Sequence, residues 1–133
     1  MGVGPQQPWL LPFLKEIRHS PSFYLCRADI GTLLMYLDGY EQARVDLGVP
    51  PYGDGEETLL HDFGMWLGRK YREEGIRTRW MEAIEVLDES PTNLTRFFEE
   101  FELFLNDRGM SLSDPNIGKC LRYSDVRTMP GDP

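Results

Sequence analysis

The side chains able to do acid–base, nucleophilic or metal chemistry are few, carboxylates apart. The chain holds two histidines, His19 and His61, and two cysteines, Cys26 and Cys120. Asp62 adjoins His61, but neighbours one apart on a helix point in different directions. Ser20, Ser22, Cys26 and Asp29 lie near His19 in the sequence without setting up a nucleophile and an oriented base. No HExxH pair, no paired-cysteine spacing and no calcium loop is present, so no catalytic residue, metal ligand or cofactor is expected. The glycines of "GVPPYGDG" neither follow a strand nor carry the lysine and hydroxyl of a nucleotide loop, and read as a connector. The enzymatic alternative left open is a small hydrolase or transferase with a site near His19 or His61. The 22 acidic residues offer many accidental carboxylate pairs, none in a local context that raises a pKa.

The carboxylates do form a pattern. Glu82, Glu85 and Glu89 recur at spacings of three and four, opposite Trp80, Ile84 and Leu87. Glu99 and Glu102 occupy the polar back of the following helix. From Glu82 to Glu102 there are seven acidic residues and one basic residue, Arg96. An antiparallel hairpin across Ser90–Pro91 would join the two backs into one acidic plateau. The plain reading is that helices need wet faces and acids keep proteins soluble. The sharper reading is a surface that steers and binds a basic partner, with Glu82, Glu85, Glu89, Glu99 and Glu102 as contacts. The net charge of -8 argues against a nucleic-acid partner, since neutralising phosphates takes a basic patch. The densest basic run, "RKYREEGIRTR", is broken by Glu73 and Glu74 and reads as helix-surface charge.

These residues need a scaffold, and 133 residues fit one domain. The reading is an all-α single-domain bundle of about five helices. It divides into a flexible lead-in over 1–8, a helical domain over 9–126 and a frayed tail over 127–133. Leu10, Phe13, Leu14 and Ile17 share a face of the first helix, with Pro8 at its start. Asp29 caps the second, whose inward stripe is Ile30, Leu33, Leu34, Leu37 and Tyr40. The third runs near Glu57 to Tyr71, with Glu56 and Glu57 complementing its dipole and Gly75 as its stop. The fourth spans about Arg77 to Glu89. The fifth is capped by Ser90 with Pro91 at its first position, carries Leu94, Phe97, Phe98, Phe101, Phe104 and Leu105 inward, and stops at Gly109. A short strand pair has two places to form, near Phe23 and near Leu121. No apolar run approaches the ~20 residues a membrane span takes. With no signal segment at "MGVGPQQPWL" and two distant thiols, the expectation is a reduced, cytoplasmic protein.

The stretch "HSPSFYLCRADIGTLLMYLDGY", His19 to Tyr40, resembles a pattern of small bacterial proteins, some of them similar to immunity proteins of polymorphic toxin or contact-inhibition systems. Pro21, Tyr24, Leu25, Leu33, Leu37, Gly39 and Tyr40 carry the match, which continues to Phe63, Trp66 and Leu67 and covers about a third of the chain. Ser20, Phe23 and Cys26 depart from it, standing where the pattern has Arg, Met and Gly. The pattern names no catalytic residue. It implies a small single domain that presents an acidic face to a toxin and neutralises it by occlusion. The rival reading is an acidic adaptor or homodimerising regulatory domain, which predicts an exposed apolar patch and self-association.

Overall fold

The computed structural model describes residues 7–72 and 79–117. Among them are six helices and no strand: α1 (Leu10–His19), α2 (Pro21–Tyr24), α3 (Ile30–Asp46), α4 (Leu59–Lys70), α5 (Trp80–Leu87) and α6 (Leu94–Asp107). The chain is therefore helical, with one helix more than the periodicity predicts. The extra one is α2, where an extended piece was the alternative. Pro21 sets the first helical dihedral, and Phe23 N–H to Ser20 O and Leu25 N–H to Pro21 O close the turn. The Phe23 half of the expected strand pair is thus helical; its Leu121 half, Gly75, Arg77, Cys120 and the 127–133 tail lie outside the described residues. Pro8, at the inner end of the expected lead-in, is buried, and residues 1–6 lie outside the described residues.

Helix α6 is the most deeply packed element. Its whole predicted stripe is buried, each Phe contributing ~1.5–3 kcal/mol in transfer terms. Phe97, Phe101 and Phe104 surround Phe63 of α4 at centroid distances of 5.7, 5.1 and 5.4 Å, and Trp80 of α5 closes on Phe97 at 5.3 Å. Gly109, at φ 76, takes the left-handed conformation that ends the helix. The residues that follow return over the core, burying Met110, Leu112 and Ile117.

The start of α6 differs from expectation by three residues. Residues 91–93 form a turn and Asn93 is the N-cap, in place of Ser90. The reason is tertiary. Buried Asn93 accepts from Ile30 N–H at its Oδ1 (2.8 Å) and donates from Nδ2 to Asp88 O (3.2 Å), while Leu94 N–H donates to Ala28 O. One side chain so ties the first turn of α3 to the entry of α6. Asp29 caps α3 locally, accepting from Thr32 N–H at 2.7 Å, as its position predicts.

Candidate partner-binding cleft

The five candidate carboxylates separate into two groups. Helix α5 takes α4 and α3 as its main packing partners, so it does not form a simple hairpin with α6. Glu82 is half-buried and pairs with Arg79 at 3.7 Å, while Glu85 and Glu89 are exposed. Glu99 and Glu102 belong to a different place, a cleft between α1–α2 and α6. Glu99 is exposed there. Glu102 is already engaged, accepting from Arg18 Nη1 at 3.3 Å, Ser111 Oγ at 3.3 Å and Leu112 N–H at 2.9 Å.

The cleft has a volume of about 400 Å³. Leu94 and Phe98, one turn apart, supply its apolar wall on α6; Pro21 and Ala28 face them, and Thr95, Glu99 and the Arg18–Glu102 pair form the polar edge. The arrangement follows from the width of the α6 stripe. Phe97, Phe101 and Phe104 turn into the core, whereas Leu94 and Phe98, themselves buried, stand at the stripe's margin and form the floor of the cleft. An apolar cleft with a carboxylate on its rim suits an apolar side chain flanked by a cation.

Two carboxylates outside the five candidates are the most buried charges described. Glu56 is 1% exposed and Glu100 4%. Glu56 was expected at the dipole of α4; it caps α1 instead. Its Oε1 accepts from Trp9 N–H at 2.9 Å and Gly53 N–H at 3.2 Å, its Oε2 from Leu10 N–H at 2.8 Å and Leu11 N–H at 3.2 Å. Trp9, the N-cap residue, makes no side-chain cap, so this distant carboxylate satisfies the orphan donors of the helix. Burial pushes the Glu56 carboxyl above its ordinary value, against the pull of those four N–H groups. Glu100 binds α4 to α6, taking Lys70 Nζ at 2.8 Å, Arg96 Nε at 3.1 Å and the Tyr71 hydroxyl. Burial alone would raise its carboxyl; the Lys70, Tyr71 and Arg96 donors outweigh that and hold it below the ordinary 4.5. Its signal was present in the sequence, since Glu100 lies three residues after Phe97 and four before Phe104, inside the apolar stripe. Glu56 carries no comparable local signal.

His19 is exposed at the end of α1. His61 is exposed too, beside a cleft of about 340 Å³ with Leu34, Arg79, Trp80 and Met81. Among the described residues, that lining includes no carboxylate, hydroxyl or thiol to orient an imidazole as a base. Among the described residues no group of three or more His, Cys, Asp or Glu could hold a metal ion, and no helix is long and apolar enough to cross a membrane. No protein-family model matches the chain, and no curated protein or solved structure shows a detectable match to it.

Proposed function

We propose that this chain is a non-enzymatic protein-binding domain, a helical bundle of immunity type that neutralises a basic toxin partner in the cytoplasm by occlusion. The observation that carries the reading is the cleft of about 400 Å³ whose apolar wall, Leu94 and Phe98, is edged by exposed Glu99 on a chain of net charge -8. A partner's apolar side chain fills the cleft, and a neighbouring lysine or arginine pairs with Glu99. Glu85 and Glu89, on α5, act at longer range and speed encounter. Glu102 keeps the rim in shape through Arg18 and Leu112 more than it contacts the partner. A basic toxin site that grips nucleic acid presents the charge such a surface fits.

The test is capture of the partner from native cells on the tagged chain, followed by binding measurements with purified components. Thr95→Arg fills the cleft from its exposed edge, and Glu99→Lys reverses the rim. Each is expected to weaken binding by ~2–5 kcal/mol if its contact is desolvated, whereas Glu85→Lys and Glu89→Lys mainly slow association and reduce its salt dependence. Capture of no basic protein, or an affinity indifferent to Thr95→Arg and Glu99→Lys, would falsify the proposal.

A further inference from the structure

Two basic side chains stand over an apolar floor where α3, α4 and α5 come together. The cleft of about 340 Å³ beside His61 is lined by Leu34 of α3, by His61 of α4, and by Arg79, Trp80 and Met81 at the start of α5. Its size lies at the small end of the ~300–1,000 Å³ usual for small-molecule sites. Trp80 is fixed from behind, its ring centroid 5.3 Å from that of Phe97 in the core. It is half-buried, as are Leu34 and Met81. The indole thus offers a rigid flat surface, and Met81 an adaptable one.

The charge of this lining runs against that of the chain. The sequence holds 22 acidic residues against 14 basic. The cleft lined by Phe98 accordingly carries Glu99 and Glu102, and the groove lined by Trp66 carries Asp107. Here, among the described residues, the polar groups of the lining are an imidazole and a guanidinium. Neither is used up. Glu82 approaches Arg79 Nη1 only to 3.7 Å, in a pair whose side chains are 77% and 42% exposed, and a guanidinium has five N–H donors to place. Among the described residues the His61 imidazole has no hydrogen-bond or ion-pair partner. One carboxylate suits these donors better than a phosphate. It matches the guanidinium fork with two parallel N–H···O bonds, and a cation shared with Glu82 balances one negative charge but not two. The described lining has no hydroxyl or thiol to attack a bound molecule, so the chemistry on offer is binding.

We infer that this cleft binds a small apolar carboxylic acid, an aromatic or branched body of about ten non-hydrogen atoms with one negative charge. The body rests on Trp80 with Leu34 and Met81, and the carboxylate takes Arg79 and His61. A ligand of that size binds with about millimolar affinity. The site shares no lining residue with the cleft on α6 and is independent of partner binding there.

Nuclear magnetic resonance titration of the isotope-labelled full chain with phenylacetate tests this, because its three tryptophan indole N–H signals report on separate places. Trp80 lies in this cleft, Trp66 in the groove between α4 and α6, and Trp9 at the N-cap of α1. The Trp80 signal is expected to shift saturably while the other two stay in place. Acetate, which lacks the ring, and phenylacetamide, which lacks the charge, should each bind at least about tenfold more weakly. Arg79→Gln and His61→Ala, both at exposed positions, should weaken phenylacetate binding with the melting temperature unchanged, the first by about tenfold. Glu82→Gln removes the competitor for Arg79 and should tighten binding about two- to fivefold. Arg27→Gln removes the same charge at a 75% exposed arginine outside the cleft and should change nothing. A Trp80 signal that does not saturate by tens of millimolar overturns the inference. So does phenylacetamide binding as tightly as phenylacetate, an Arg79→Gln protein that binds like the wild type, or an Arg27→Gln loss equal to that of Arg79→Gln. Thr95→Arg, which fills the cleft on α6, should leave phenylacetate binding intact, and an equal loss there would place the ligand in the wrong cleft.

Discussion

Replacing Glu56 tests whether one buried carboxylate holds the amino-terminal helix in place. Its two oxygens accept four backbone N–H groups, three of them at the start of α1. A buried donor left without an acceptor costs ~1–3 kcal/mol, so four set a gross loss of ~4–12 kcal/mol for Glu56→Ala. Water can reach part of the gap, because Trp9 is only half-buried, and the expected net loss is about 3–5 kcal/mol. Glu56→Gln keeps one oxygen but turns an NH₂ toward two N–H donors, and is expected to cost about 2–3 kcal/mol. Either figure is a large share of the ~5–15 kcal/mol that stabilises a typical domain. Urea denaturation followed by far-ultraviolet circular dichroism measures the loss, and hydrogen exchange locates it, with Leu10 and Leu11 amides losing protection first. Glu57→Gln, next in sequence but exposed, is the control and should stay within ~0.5 kcal/mol of wild type. A Glu56→Gln protein as stable as that control would refute the reasoning. The orphan donors would then be finding water at no cost, and the cap would be incidental.

Glu100→Gln should cost about 2–3 kcal/mol at neutral pH, where it leaves Lys70 and Arg96 without their shared carboxylate. The folded-state pKa of Glu100 is depressed, so its contribution is present above the ordinary 4.5 and is lost as the pH falls through the folded value. The stability gap between wild type and Glu100→Gln should therefore close on acidification below 4.5; a gap constant with pH would assign the loss to packing. Gly53→Ala would bring a Cβ within 2.3 Å of Gln7 O and 2.5 Å of Pro8 Cα, so backbone must shift and the Glu56 cap with it. An expected loss of about 1–3 kcal/mol in the same denaturation assay checks this. Phe101→Ala should cost ~3–5 kcal/mol, as a fully buried ring in the α4–α6 cluster. A smaller loss for Phe98→Ala is expected, because Phe98 borders the cleft, and equal losses would mean the cleft closes in solution.

Where a structural feature depends on residues within one helix, the sequence announced it. The whole α6 stripe was legible at three-to-four spacing, as were Leu10, Leu14 and Ile17 of α1, and the Asp29 cap was legible because its acceptor and donor are three residues apart. Features that join distant segments left no such trace. Asn93 displaced Ser90 as the α6 cap because its amide serves Ile30, 63 positions away in sequence. Glu56 looked like an ordinary acid at the start of α4, and only the approach of α1, 46 positions away at Leu10, makes it a cap. The packing of α5 was hidden for the same reason, since chain neighbours α5 and α6 are not each other's main packing partners. The cleft required Arg18 to meet Glu102 across 84 positions.

Helix α3 is the instructive case, because there the local signal itself was double. Ile30, Leu33, Leu34, Leu37 and Tyr40 were read as one inward stripe, yet Leu34 is half-buried and Tyr40 is 39% exposed. Two apolar stripes about 110° apart overlap at Tyr40, so a single helical periodicity cannot describe them. A helix apolar on more than one side is normally covered on more than one side. On α3 the first side is closed by the core, whereas Tyr36 and Tyr40 on the second are backed by Phe13 of α1 and its N-cap residue Trp9. The two tyrosines spoil the single periodicity because α1, and not the core beneath α3, packs behind them, and a contact between separate helices leaves no trace in the spacing within one.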